Sequence, residues 1–155
     1  LEATPPFFAF KSSLLYLAFK PFNPYNMRHI EPNHPHPDKG QIKVYIEGDE
    51  IPRLQTSRTG TLSNMTYYEL IELLGEPYYP TPSGDDKIQK EWVLEYTPSD
   101  GHEPIPFRIY DYKTYSLWET MNALKEWSIG GEKGTDAYAS ELSSLLNTLN
   151  SMNKV

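Results

Sequence analysis

Half of the prolines in this chain fall within its first quarter: residues 1–38 hold seven of the 14. Proline fixes φ and offers no backbone N–H, so neither a helix interior nor a central strand can run through Pro5-Pro6, Pro21, Pro24 and Pro32-Asn33-His34-Pro35-His36-Pro37. That last run must be extended or turn-like. Charge divides at the same place. Residues 1–38 carry three basic and three acidic side chains, whereas the remainder carries 11 and 18, so the net charge of −7 sits entirely beyond residue 38. We read 1–38 as an extended N-terminal arm, 39–150 as one compact domain and 151–155 as a C-terminal tail. A chain of 155 residues has room for one real core but not for two.

The arm is not a solvated linker throughout. Phe7, Phe8, Phe10, Leu14, Leu15, Tyr16, Leu17, Phe19 and Phe22 would meet water on a free chain, and Ser12–Lys20 is long enough for about two helical turns. These side chains need a surface, either on their own domain, on a sister subunit or on a protein partner. The apolar run 7–19 falls short of the roughly 20 residues that cross a bilayer. It also lacks a basic leader and a small-residue cleavage site, so neither a membrane span nor a signal peptide is expected.

Hydrophobic residues make up only 38% of the chain while aromatic ones reach 14%, with 12 Tyr, so the core must rest on a few large rings whose polar tips need partners. The acidic balance argues against a generic nucleic-acid or anionic-membrane binder, which requires a positive field. Cysteine is absent, which removes disulfides and thiolate ligands.

Within the domain, Gln41–Glu47 alternates as a strand, Gly48-Asp49-Glu50 suits a turn, and Ile51–Arg58 is expected to return as a second strand with Pro52 at its edge. Thr66 with Glu69 has capping-box spacing; Tyr67, Leu70, Ile71 and Leu74 share one helix face, and Gly75 and Pro77 end it. Glu91–Tyr96 alternates, with Trp92, Leu94 and Tyr96 on one side. Pro106–Lys113 is the next strand. Tyr115–Lys125 is a short helix or a long connection. Trp127-Ser128-Ile129 is a last short strand ended by Gly130-Gly131, and Thr135 caps a helix whose stripe is Tyr138, Leu142, Leu145, Leu146 and Leu149. The order predicts an α+β fold: a small, mainly antiparallel sheet with two or three helices against one face.

Four places could carry chemistry. The first is Asp111-x-Lys113 at the end of a strand. Two acids on adjacent strands can hold Mg²⁺ or Mn²⁺, and a lysine beside the second acid can orient the attacking water. Glu91 and Asp111 would be the metal ligands, with Glu95 as the alternative acid and Lys113 completing the catalytic set. The bland reading is a surface Asp–Lys pair. The second is His34-Pro35-His36-Pro37-Asp38, two imidazoles and a carboxylate that read more simply as linker. The third is Gly130-Gly131-Glu132-Lys133-Gly134-Thr135, which opens a helix but matches no phosphate-binding pattern and carries Glu132 against an anion. The fourth is the aromatic set Trp92, Tyr96, Tyr110, Tyr112, Trp118 and Trp127. Core packing is its default reading, and any members left exposed would point to a protein interface.

Two resemblances follow from these residues. The string Ile109-Tyr110-Asp111-Tyr112-Lys113-Thr114 resembles the acid-x-lysine motif of the PD-(D/E)xK nucleases, although the upstream part of that motif has no clear counterpart here. Residues 65–131 resemble a small domain of bacteriophage and other large DNA virus proteins. The likeness is carried by Met65-Thr66-Tyr67-Tyr68-Glu69-Leu70, Leu74-Gly75-Glu76-Pro77, Lys90-Glu91-Trp92, Ile109-Tyr110-Asp111-Tyr112-Lys113 and Trp127-Ser128-Ile129-Gly130-Gly131. It implies a viral setting, in a particle or the host cytoplasm, and transfers no functional residue. The expectation is therefore a non-enzymatic structural or protein–protein interaction protein, a virion component or host-factor binder that docks through its arm and uses no cofactor. A metal-dependent nuclease is the alternative.

Overall fold

The computed structural model describes residues 40–54 and 56–154. The arm expected over 1–38, with its apolar set and the His34–His36–Asp38 cluster, lies outside the described residues. The elements are β1 (Gln41–Tyr45), β2 (Ser57–Ser63), α1 (Tyr67–Leu74), β3 (Glu91–Thr97), β4 (Ile105–Tyr110), α2 (Leu117–Asn122), β5 (Glu126–Gly131) and α3 (Asp136–Asn153). The strands form one antiparallel sheet in the order β1-β3-β4-β5-β2. The architecture is α+β, as the sequence predicts.

Alternation sorts the strand residues onto two faces. One face presents Ile42, Val44, Leu62, Trp92, Leu94, Tyr96, Phe107, Ile109, Trp127 and Ile129, all buried. Tyr67, Leu70 and Leu74 of α1 and Ala139, Leu142, Leu145, Leu146 and Leu149 of α3 complete this core. Its centre is the edge-to-face pair Trp92–Trp127, with ring centroids 5.5 Å apart. Each indole N–H must find an acceptor when buried. Trp92 Nε1 donates to Gly75 O at 2.8 Å and Trp127 Nε1 to Met65 O at 2.8 Å. The two tryptophans therefore hold the two ends of α1 against the sheet.

The start of α1 follows its capping box in full: Glu69 N donates to Thr66 Oγ1, and Thr66 N donates to Glu69 Oε1. Gly75 follows at φ 80°, a conformation that suits glycine. α3 carries the expected stripe, with Tyr138 only partly buried at its margin and Ala139 and Asn150 added. Thr135 makes no side-chain cap; its Oγ1 donates to Glu132 O instead. The helix continues through Asn153, and Lys154 Nζ reaches Glu69 Oε2 at 2.8 Å.

Three boundaries differ from expectation. Ile51–Leu54 is not a strand, and β2 begins only at Ser57. β1 and β2 are consecutive in the chain yet lie at opposite edges, so residues 46–56 must carry the backbone past four inter-strand spacings, about 19 Å. That crossing uses Ile51 and Pro52. β2 itself is a polar Ser-Arg-Thr-Gly-Thr-Leu-Ser strand that buries only Leu62, too weak a pattern to read. Gly130-Gly131 does not end β5 but lies within it. An added Cβ on Gly131 would sit 2.7 Å from the Phe107 ring, so glycine is what lets the strand pass there. The strand expected over 106–113 ends at Tyr110.

Leu142 is fully buried between α3 and the sheet. Leu142→Ala should lower the unfolding free energy by about 2–5 kcal/mol, as measured by urea denaturation. A loss below about 0.5 kcal/mol, of the size seen at surface positions, would show that this face is not packed.

Candidate functional site

β4 hands the chain over to a connection, residues 111–125, that returns it to β5 at the same end of the sheet. Backbone pairing between β3 and β4 stops at Glu91↔Tyr110. The next two amides toward the N-terminus, Gln89 N and Lys90 N, would lose their strand partner at this point. Both donate to Asp111 Oδ1, at 2.8 and 2.9 Å. Asp111 Oδ2 accepts from Thr120 Oγ1 of α2 at 2.6 Å. Asp111 is 1% exposed and Thr120 is fully buried. A carboxylate is an acceptor-only group, and here one carboxylate serves three donors from two segments distant in sequence.

The surroundings support this arrangement. Lys113 N donates to Lys87 O at 2.7 Å, which ties the connection to the loop before β3 a second time. Lys90 Nζ lies 5.6 Å from the centroid of the Tyr67 ring and donates to Pro80 O at 2.6 Å. Burial lowers the Lys90 pKa, while the nearby Glu76 and Asp111 pull it the other way. The Lys90 ammonium thus offsets part of the charge that Asp111 brings inside.

Held at its base, the connection exposes large apolar side chains as well as Lys113 and Glu119. Tyr112 is 51% exposed, Tyr115 57%, Leu117 40% and Trp118 70%. Four large apolar side chains exposed within seven residues form a ledge of the kind that solvated surfaces avoid and interfaces use. The backbone beneath them is unusual as well. Lys113 and Tyr115 have φ of 61° and 60°, a left-handed conformation that costs an L residue about 1–2 kcal/mol. Such strain persists only where the surroundings over-determine it. Lys113 Nζ stands 5.3 Å from the Tyr112 ring centroid, and Tyr110 meets Tyr112 edge to face at 6.3 Å.

The sequence-based candidates are placed as follows. Asp111 turns to the helix side, where it meets Thr120. Lys113 follows it in a turn rather than on a strand. Glu91 lies on the other face, with Oε2 accepting from Arg108 Nη1 at 2.7 Å. Burial works against the Arg108 charge, and the Glu91 carboxylate more than restores it. Glu95 shares the Glu91 face and accepts from Tyr45 Oη at 2.8 Å. Burial, and then this bond, push the Tyr45 hydroxyl well above its ordinary range. Glu91 and Asp111 are therefore not brought together, and among the described residues no three His, Asp or Glu side chains converge as a metal site. The aromatic set splits: Trp92, Tyr96 and Trp127 are core, whereas Tyr112 and Trp118 are exposed. Nothing in the sequence singles out Tyr115 and Leu117, because the stretch Tyr112–Trp118 follows neither a helical nor a strand period.

No family model matches the chain, and no curated protein or solved structure matches it.

Asp111→Ala leaves two buried amides and the Thr120 hydroxyl without an acceptor. It should cost about 3 kcal/mol or more, since each buried unsatisfied group costs roughly 1–3 kcal/mol. Chemical denaturation measures this, and a cost under about 1 kcal/mol would mean that water replaces the carboxylate without loss.

Proposed function

We propose that this chain is a non-enzymatic protein–protein interaction or structural module, docking through its N-terminal arm. The observation that carries this reading is the ledge of Tyr112, Tyr115, Leu117 and Trp118, exposed on a connection that a buried carboxylate fixes in place. Surfaces that bind proteins are enriched in Tyr and Trp, whose large faces lose little side-chain entropy on contact. The apolar composition of residues 7–22 supports the same reading from the other end of the chain, because those side chains also need a protein surface. The resemblance of residues 65–131 to a domain of phage and large DNA virus proteins adds a setting, a particle component or a host-factor binder. The nuclease alternative has no comparable support: its carboxylates Glu91, Glu95 and Asp111 are each engaged in a structural bond.

Removing residues 1–38 should leave the domain folded, with a cooperative melt, while abolishing association measured by sedimentation velocity. A truncated chain that loses its cooperative transition would show that the arm is part of the core instead.

A further inference from the structure

Two backbone bonds bracket the connection after β4: Lys113 N donates to Lys87 O, and Met65 N donates to Lys125 O. Between them the chain is held by very little. Among the described residues, every backbone hydrogen bond of residues 114–124 stays inside that segment, from Thr120 N to Ser116 O and from Ala123 N and Leu124 N to Glu119 O. The bonds from Glu119 N to Ser116 Oγ and from Asn122 Nδ2 to Trp118 O are internal too. One hydrogen bond leaves the segment, from Thr120 Oγ1 to Asp111 Oδ2 at 2.6 Å.

Packing adds little to that bond. α2 buries Thr120 alone, and Met121 and Leu124 are only partly buried against the core. A helix of six residues does not keep its shape without tertiary support. Tyr115, at φ 60°, holds a conformation that an L residue leaves once nothing imposes it. The two oxygens of Asp111 therefore differ in role. Oδ1 staples the two amides that lead into β3, whereas Oδ2 catches a segment with few other attachments.

A stretch with one outward hydrogen bond and little burial opens at a lower free energy than the sheet that carries it. We propose that residues 114–124 form a flap that opens as one unit while the sheet stays folded, with the Thr120–Asp111 bond as its catch. Leu117 and Trp118 ride on this flap, whereas Tyr112 lies outside it on the stapled side. The four exposed side chains of the ledge stand together only while the catch is closed. As a control on that surface the inference rests on the interaction reading above; the opening itself does not, and it is measured on the free chain.

The test is native-state amide hydrogen exchange on the full chain, comparing the wild type with Thr120→Val, Thr120→Ser and Ile42→Val. Thr120, Ala123 and Leu124 report on the flap, and the slowest amides of β3 and β4 report on the sheet. In the wild type the flap amides should exchange faster than the sheet amides and respond less to denaturant. Thr120→Val keeps the shape and removes the donor, and should speed flap exchange about tenfold. Thr120→Ser keeps a hydroxyl and should exchange more slowly than Thr120→Val. Ile42 is fully buried in β1, two strands from β4. Ile42→Val should speed the sheet amides about fivefold and leave the flap amides at the wild-type rate. Three results overturn the proposal: flap and sheet amides that share one rate in the wild type, Ile42→Val speeding both sets alike, or Thr120→Val leaving the flap rate unchanged. None of these touches the interaction reading, which stands or falls on the association of the full and truncated chains.

Discussion

A single buried carboxylate organises the end of the molecule that carries its most unusual surface. Asp111 follows the last paired residue of β4 and takes over where the ladder stops, accepting from the two successive amides that lead into β3 and from a hydroxyl of α2. Without it the loop before β3, the connection after β4 and the short helix α2 would share little beyond the Lys113–Lys87 backbone bond. α2 has six residues, too few to be stable alone, so its position must come from such tertiary bonds. The two left-handed residues nearby, Lys113 and Tyr115, are tolerable for the same reason: the backbone around them is fixed from several sides.

The rest of the fold gives that anchor something rigid to act on. The Trp92–Trp127 pair sits between the sheet and α1, and its indole N–H groups reach Gly75 and Met65 at the two ends of the helix. Large rings fill space among the aliphatic residues of the core, and their polar tips are satisfied by backbone carbonyls or by carboxylates, as at Tyr45–Glu95 and Tyr96–Glu141. The same economy of partners explains why the acids of a nuclease-like motif are engaged in structural bonds.

Sequence made the regular parts legible and left the irregular ones hidden, for physical reasons. The capping box at Thr66–Glu69, the stripe of α3 and the alternation of β3 are local signals, complete within a few residues. β2 begins later than its sequence suggests because its strand character is set by Trp127 and Ile129 across the ladder rather than by its own polar residues. Gly131 read as a stop because the Phe107 ring that demands a glycine there is distant in sequence. Asp111 stands out in the sequence, but only as a metal ligand or as half of a surface Asp–Lys pair, since a carboxylate that ligates a cation, pairs with a lysine or accepts backbone amides looks the same in one dimension. The ledge had only a composition signal, because exposure is a property of the assembled surface.

The proposed interaction function rests on an aromatic surface carried by a pinned connection and on an apolar, proline-rich arm. The account depends most directly on the pin. Native-state amide hydrogen exchange at Gln89 and Lys90 measures it: donation to the buried Asp111 predicts protection close to that of the β3 and β4 amides, opening only with the sheet. Exchange at the rate of the exposed Asp85–Asp86 segment would contradict it, leaving the ledge without the Asp111 anchor.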